Sequence, residues 1–305
     1  MAISQILFAG YGGVSFGFDG TRGVFTGGDG APQNQVMDYI NINSTGNATD
    51  FGDLSVDRGL SATCSNASRG TMGGGSYPAH SNTIDYITFA STGNATDFGD
   101  MVAGVAGSRG VGSKIGRGVM MGGDPGPNHN RIQYIQIDTL GNASSFGSTT
   151  NKKGYCYVVG NGIRAVCGGD ERSPDNNTIE YVTVATTANS TSFGNMNYAG
   201  YGGGSGNVGA YNMNRGVFVG GSNPNGGMQY ITISSTGNAT DSGDLGYSAS
   251  FMATTGQGTN RGMAAGSGPS PYNKISFFNP ATTGNASDFG DLTVGRTYVD
   301  GNSGD

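Results

Sequence analysis

Short apolar runs recur along this chain at a steady interval, each bounded by glycine or by turn residues. One run follows a basic residue and ends in a glycine pair: Arg22-Gly23-Val24-Phe25-Thr26-Gly27-Gly28. Its relatives are Arg69 to Gly74, Arg117 to Gly123, Ala165 to Gly169, Arg215 to Gly221 and Arg261 to Gly266. A second run, Met37-Asp38-Tyr39-Ile40-Asn41-Ile42, returns as Ile84 to Phe89, Ile132 to Ile137, Ile179 to Val184, Met228 to Ile233 and Ile275 to Phe278. Its first and third positions point to one face of a strand and its fourth and sixth to the other, so both faces carry apolar groups. That pattern predicts a strand covered on both sides.

Between these runs lies a near-constant phrase, Thr45-Gly46-Asn47-Ala48-Thr49-Asp50-Phe51-Gly52-Asp53-Leu54. Its Asn recurs at 47, 94, 142, 189, 238 and 285, in steps of 47, 48, 47, 49 and 47 residues. A fixed period of this size is the mark of a repeat architecture. Within the phrase, Gly and Asn predict a turn closed by the Asn side chain as an Asx-turn. Asp-Phe-Gly-Asp-Leu predicts a short outer strand with one aromatic anchor, replaced in the fifth copy by Ser242. A fourth, small-residue run precedes each glycine-terminated one, as in Gly59 to Cys64, Tyr155 to Val159 and Ala249 to Thr254. Small side chains are expected where strands converge on an axis. No window has a helical period.

Four strands, here called A to D, repeated six times without helices, predict an all-β chain folded as a six-bladed β-propeller of four-stranded blades. An open array would leave long unpaired edges. The predicted blades are 1–54, 55–101, 102–148, 149–196, 197–245 and 246–292, with 293–305 as a surplus or closing strand. The surplus arises because Phe8 to Ser15 matches the A-type segment Tyr198 to Ser205, while Thr293 to Val299 matches Ser55 to Ser61. Seven A-type segments serve six blades. Either one terminal segment closes the ring and the other is displaced, or the extra segment adds to a partner by β-augmentation; a terminal strand is expected to contact a neighbouring subunit.

The Arg near strand A (Arg58, Arg296), the glycine pair ending B, the aromatic in C and the aromatic anchor in D resemble a kelch repeat. Phe stands where kelch repeats carry Trp, and this chain has no Trp. The repeated phrase also resembles kelch-like proteins of marine bacteriophages. That resemblance implies a virion role.

Composition narrows the classes. Gly is 59 of 305 residues and charged residues only 12%, but 14 Phe and 15 Tyr supply a core, so the chain is read as folded. Net charge is -6 with scattered basic residues, which argues against a nucleic-acid partner. No run reaches the ~20 apolar residues of a membrane span, so no membrane insertion is expected. The first residues lack a signal peptide's basic start. Cys64, Cys156 and Cys167 are expected as reduced, buried thiols, with Cys156 and Cys167 flanking a tight turn.

Candidate chemistry sits in the B-to-C loops. Eight of nine prolines lie there, together with His80 and His129. A regular scaffold with dissimilar loops on one face is a recognition surface, and Tyr77, His80, His129, Arg131, Asp170, Glu171, Arg172 and Tyr272 are its candidate binding residues. The paired aspartates, such as Asp50 and Asp53, fall short of the 6–8 oxygens a calcium site takes, and no metal or cofactor is expected. Gly204 to Gly209 fits G-x-G-x-x-G but has no following helix, so it carries no nucleotide reading. The six Asn-x-Ser/Thr sequons are read as turn residues, and the strand-C tyrosines as inter-blade packing. No catalytic grouping is readable from spacing. The leading expectation is a non-enzymatic phage virion protein (tail fibre, spike or capsid decoration), made in the host cytoplasm. It would bind virion proteins or a host glycan or receptor and self-associate through a terminal strand. The alternatives are a bacterial lectin-like propeller at the cell surface or outside the cell, and a carbohydrate-active enzyme.

Overall fold

The computed structural model describes residues 21–29, 35–76, 79–113, 115–124, 130–170, 177–198, 214–221, 226–257, 261–266 and 272–304. Among them there are strands and turns but no helix. The strands form six antiparallel blades of a β-propeller. Blade one contains β1 (Arg22–Thr26), β2 (Val36–Asn41) and β3 (Thr49–Asp53). Blade two runs from the inside outward as β4 (Ala62–Ser65), β5 (Arg69–Gly73), β6 (Thr83–Thr88) and β7 (Thr96–Asp100). Blade three is β8 (Arg109–Val111), β9 (Arg117–Met121), β10 (Arg131–Gln136) and β11 (Ser144–Ser148). Blade four is β12 (Tyr157–Gly160), β13 (Arg164–Gly168), β14 (Thr178–Thr183) and β15 (Thr191–Asn195). Blade five shows β16 (Arg215–Val219), β17 (Gly227–Thr232) and β18 (Thr240–Asp244); its A-type segment falls in 199–213, outside the described residues, as does Gly204 to Gly209. Blade six is β19 (Ala253–Gln257), β20 (Arg261–Ala265), β21 (Tyr272–Phe278) and β22 (Ser287–Arg296).

The last strand, β23 (Asp300–Gly304), returns to blade one and pairs with β1 from Arg22↔Gly304 to Thr26↔Asp300. The C-terminal segment therefore closes the ring. Sterics explain why it suits this edge. Val14 to Phe18 stands at the same distance before Arg22 as β19 stands before Arg261, so Ser15 would take the place of Gly301 and Phe18 that of Gly304. A Cβ at Gly301 would lie 2.6 Å from the Thr254 carbonyl oxygen, and one at Gly304 would enter the Phe89 ring. The two glycines of β23 are what the neighbouring blades leave room for. The N-terminal match, Phe8 to Ser15, lies outside the described residues.

Blade packing follows from the two-faced strands. Met37, Ile40 and Ile42 of blade one are buried, and each inter-blade core repeats the arrangement: Val24, Met37, Phe51 and Leu54 of blade one meet Met72, Ile87 and Phe89 of blade two. The strand-D anchor packs edge-on against the strand-C aromatic, as with Tyr39 and Phe51 at 6.0 Å and Tyr86 and Phe98 at 6.1 Å. Ser242, which replaces the anchor in blade five, is still buried.

The constant phrase behaves differently from its sequence reading. Its Asn does not close a turn in its own hairpin. It accepts a hydrogen bond from the outer strand of the preceding blade: Asp53 N–H to Asn94 Oδ1 at 3.0 Å, Asp100 N–H to Asn142 at 2.9 Å, Ser148 N–H to Asn189 at 3.0 Å. Asn195 to Asn238, Asp244 to Asn285 and Asp291 to Asn47 complete the circle. The flanking peptides add to it, as Gly93 N–H donates to Phe51 O and Ala95 N–H to Asp53 O. Each outer strand thus has its free edge covered by the next blade's turn, the remedy for an exposed strand edge. Close approach demands glycine here: a Cβ on Gly52, whose φ is +140°, would lie 2.5 Å from Gly93 O.

Candidate functional site

Topology gives the ring two unlike faces. Every strand B ends, and every strand C begins, on one face, so the six B-to-C loops and the D-to-A links emerge together there. The A-to-B and C-to-D turns emerge on the other. Of the eight candidate binding residues, Tyr77, His129, Glu171 and Arg172 lie outside the described residues. The other four flank the loops of four different blades. His80 is exposed and bridges back to Ser76. Arg131 begins β10, half-buried, opposite Ser148. Tyr272 begins β21 and is exposed. Asp170 follows β13 but is buried, and its Oδ1 accepts the Gly154 N–H at 3.1 Å. Asp170 therefore holds a linker in place, whereas His80 and Tyr272 are displayed to solvent. The face brings these residues to one side of the ring without gathering them around a common cavity. The prolines of the loops also fall outside the described residues, except that Pro280, which lies in a C-to-D turn, is described.

Beneath this face runs a belt of buried polar side chains absent from the candidate set. The second residue of each strand-C run is buried: Asp38, Asp85, Gln133, Glu180, Gln229 and Ser276. Each holds the D-to-A link arriving from the preceding blade. Asp85 accepts from Ser55 N–H at 3.1 Å and Ser55 Oγ at 2.6 Å, and pairs with Arg58 at 2.7 Å. Gln133 Oε1 accepts from Val102 N–H and Gln229 Oε1 from Asn197 N–H, both at 2.9 Å. Glu180 accepts from the Thr150 and Asn151 N–H groups and from Ser190 Oγ. Ser276 meets Tyr247 Oη at 3.3 Å. Asp38 accepts from Thr293 Oγ1 and pairs with Arg296 at 2.6 Å. Arg58 also donates to the carbonyls of Met72, Gly74 and Thr83, so its charge is distributed over several acceptors.

A further buried pair fixes the closing strand. Arg109 Nη1 of β8 pairs with Asp300 Oδ1 of β23 at 2.6 Å, with both side chains at 0–1% exposure. Asp300 Oδ2 accepts from Ser61 N–H at 2.7 Å and Ser61 Oγ at 2.8 Å. Burial pushes the Asp38 and Asp300 carboxyls up, and the paired guanidiniums pull them back only part of the way. Burial likewise lowers Arg58 and Arg296. Burial also pushes up Glu180, but hydrogen bonds from Ser190, Thr150 and Asn151 and the nearby Lys153 ammonium outweigh it and hold the carboxyl low. These shifts belong to buried groups whose hydrogen bonds and ion pairs hold the frame together.

The opposite face carries a repeated clasp. The first Arg of strand B stacks on the strand-C aromatic of its own blade: Arg69 on Tyr86 at 4.9 Å, Arg117 on Tyr134 at 4.3 Å, Arg164 on Tyr181 at 4.4 Å. The same guanidinium donates to a carbonyl of the next blade, Ile137, Val184 and Ile233 respectively. Arg22 to Phe89, Arg215 to Ala281 and Arg261 to Ile42 complete the set. The tyrosines do pack at blade interfaces, as with Tyr39 and Tyr134, and the clasp adds a cation–π contact to that role.

Among the described residues no group of three or more His, Cys, Asp or Glu is placed to hold a metal ion. The three cysteines are free and buried, and burial pushes the Cys64 and Cys156 thiols up to about 12. Cys167 stands opposite Val158 in the β12–β13 pair. No helix among the described residues is long and apolar enough to cross a membrane. No family model matches the chain, and no curated protein matches it either.

Proposed function

We propose that the chain is a non-enzymatic structural and adhesion component of a bacteriophage virion, a tail fibre, spike or capsid decoration, that binds a virion partner or host surface through its loop-bearing face. The observation that carries this reading is the contrast between the two faces. The frame is six times the same: one clasp, one edge-covering turn and one buried belt per blade. The B-to-C connections on one face differ in sequence from blade to blade, although four of the six are the same nine residues long. A rigid ring presenting dissimilar loops is built for recognition, since ordered scaffolds reduce the entropy lost on binding. His80 and Tyr272 are displayed on that face, and Tyr is among the residues that dominate interface energetics. The resemblance of the repeated phrase to kelch-like proteins of marine bacteriophages supplies the virion context.

The test is to raise antibody to the protein, purify particles by density gradient and locate the label by electron microscopy. Label fixed to a defined part of the particle supports the proposal. Recovery only in the soluble fraction of the lysate refutes the virion role. Replacing the six loops by Gly-Ser segments of equal length tests the binding face. Unchanged attachment would move recognition elsewhere on the ring.

A further inference from the structure

Three of the C-to-D turns enclose the same recess on the turn-bearing side of the ring. Blade two forms it between the strand-C residues Tyr86 to Thr88 and the turn Ser91 to Asn94. Blade three forms it between Tyr134 to Gln136 and Thr139 to Asn142, and blade five between Tyr230 to Thr232 and Ser235 to Asn238. The volumes are about 270, 300 and 190 Å³, room for one sugar ring. The recess has a cause in the sequence. Gly93 and Ala95 donate to the outer strand of blade one, which draws the turn away from its own strand C. Gly141 and Ala143, and Gly237 and Ala239, repeat this in the other two blades. The Thr92 and Asn94 N–H groups alternate with those that reach the neighbour, and among the described residues no carbonyl accepts them. The same holds for Leu140, Asn142, Thr236 and Asn238. Each Asn is exposed and spends its Oδ1 on the preceding blade, which leaves the two Nδ2 donors for another acceptor.

We propose that these recesses are low-affinity binding sites for uncharged saccharides, one sugar ring per turn. They lie on the face opposite the loops, so the proposal stands independently of the virion role. Charge decides the ligand class first. No charged side chain is among the residues lining the three recesses. Asp97 and Asp241 stand exposed three residues after Asn94 and Asn238, and the net charge of the chain is -6, so an anion is repelled. A cation would meet N–H donors and no lining carboxylate. What fits is a neutral ligand rich in acceptor oxygens. Its hydroxyls have partners: Thr88, Ser91 and Thr92 in blade two both donate and accept, and the Asn amide donates. The half-buried Tyr86, Tyr134 and Tyr230 add an aromatic ring for the C–H groups of a sugar. An open polar site for one small ring gives a dissociation constant on the order of 1 mM. Recurrence of the site from blade to blade lets a polymer of that sugar engage several at once, which raises the apparent affinity about a hundredfold or more.

The test uses the full chain and polyacrylamide carrying glucose, galactose, mannose or N-acetylglucosamine, with the bare polymer as control, read by biolayer interferometry. At least one sugar polymer is expected to bind, and the free methyl glycoside of that sugar is expected to compete in the millimolar range. The triple substitution N94D/N142D/N238D keeps each Oδ1 acceptor, and with it the contact to the preceding blade, but removes the Nδ2 donors. It is expected to weaken polymer binding at least about tenfold. The double substitution T92W/T236W, at exposed positions, fills two recesses without touching an inter-blade bond and is expected to act in the same direction. Replacing the six B-to-C loops by Gly-Ser segments is expected to leave sugar binding unchanged, which separates this face from the loop-bearing one. Failure of all four polymers to bind, binding that neither set of substitutions weakens, or binding lost with the loops would each overturn the proposal.

Discussion

Substituting Asp300 by Ala tests how the ring is held shut. The change removes the Arg109 partner and two acceptor contacts to Ser61 from a site with no access to water. Deleting one member of a buried ion pair costs about 3–5 kcal/mol, because the remaining charge stays buried without compensation. Unfolding entropy of about 2.1 cal/mol/K per residue gives about 0.6 kcal/mol/K for a chain of this length. A loss of 4 kcal/mol then lowers Tm by about 6 °C. Replacing both partners by apolar residues, as in Arg109→Met with Asp300→Leu, is expected to recover much of the loss. Thermal unfolding followed by circular dichroism, with guanidinium titration for the free energies, reads both. The sign of the cycle matters more than its size. If Asp300→Ala shifts Tm by less than about 1.5 °C, equivalent to under about 1 kcal/mol, the pair is not what locks β23, and the closure argument fails.

Three other outcomes follow from the same frame. Glu180 is held low in the folded chain, so its contribution to stability is fully present above the unfolded carboxylate pKa and is lost as pH falls through the folded value. Glu180→Gln should therefore be less stable by about 1.5–3 kcal/mol near neutrality and should show a shallower acid limb in a Tm-against-pH series; parallel curves would refute this. Gly52→Ala forces a Cβ to 2.5 Å from the Gly93 carbonyl, whereas Gly46→Ala meets nothing within 4 Å; the first should lose at least about 1–3 kcal/mol more, by overpacking, and equal losses would contradict the edge-covering geometry. Arg164→Ala removes one cation–π stack and one inter-blade hydrogen bond, for about 1–2 kcal/mol, while Arg164→Lys should keep only part of the contact; denaturant midpoints measure both.

The architecture was legible because it is periodic. Spacing of the Asn residues, the two-faced strand-C runs and the small-residue inner segments sufficed to count blades and order their strands. What escaped the sequence was contact across blades. Asn94 looks like a local turn former, and only the ring shows it facing Asp53 on another blade. The buried belt was hidden by its chemistry: Asp38, Gln133, Glu180 and Ser276 are four residue types at one position, united by a hydrogen bond to the link arriving from the preceding blade. Comparing that column across repeats would have shown a polar residue in every apolar strand. Arg109 and Asp300 are separated by 191 residues and have no equivalents in other blades, so repeat logic could not pair them. Asp170 stands among the loop candidates by its position, but its buried carboxylate accepts the Gly154 N–H.

The covered outer edges have a consequence for change in the chain. A residue inserted in a C-to-D turn would displace an Asn that belongs, by its hydrogen bond, to the blade before, so two blades are disturbed at once. In the B-to-C connections the shared contacts lie at the ends, as where Asp29 bridges Thr297 and Asp124 bridges Ala106, and lengthening a flexible loop between such ends costs little, about 0.6 kcal/mol per doubling. Diversity can therefore accumulate on one face while the other is held to a nearly fixed text. Libraries for new binding specificity belong in the segments between Asp29 and Gln35, Asp124 and Asn130, and Asp170 and Asn177, and the Thr-Gly-Asn turns should be left untouched.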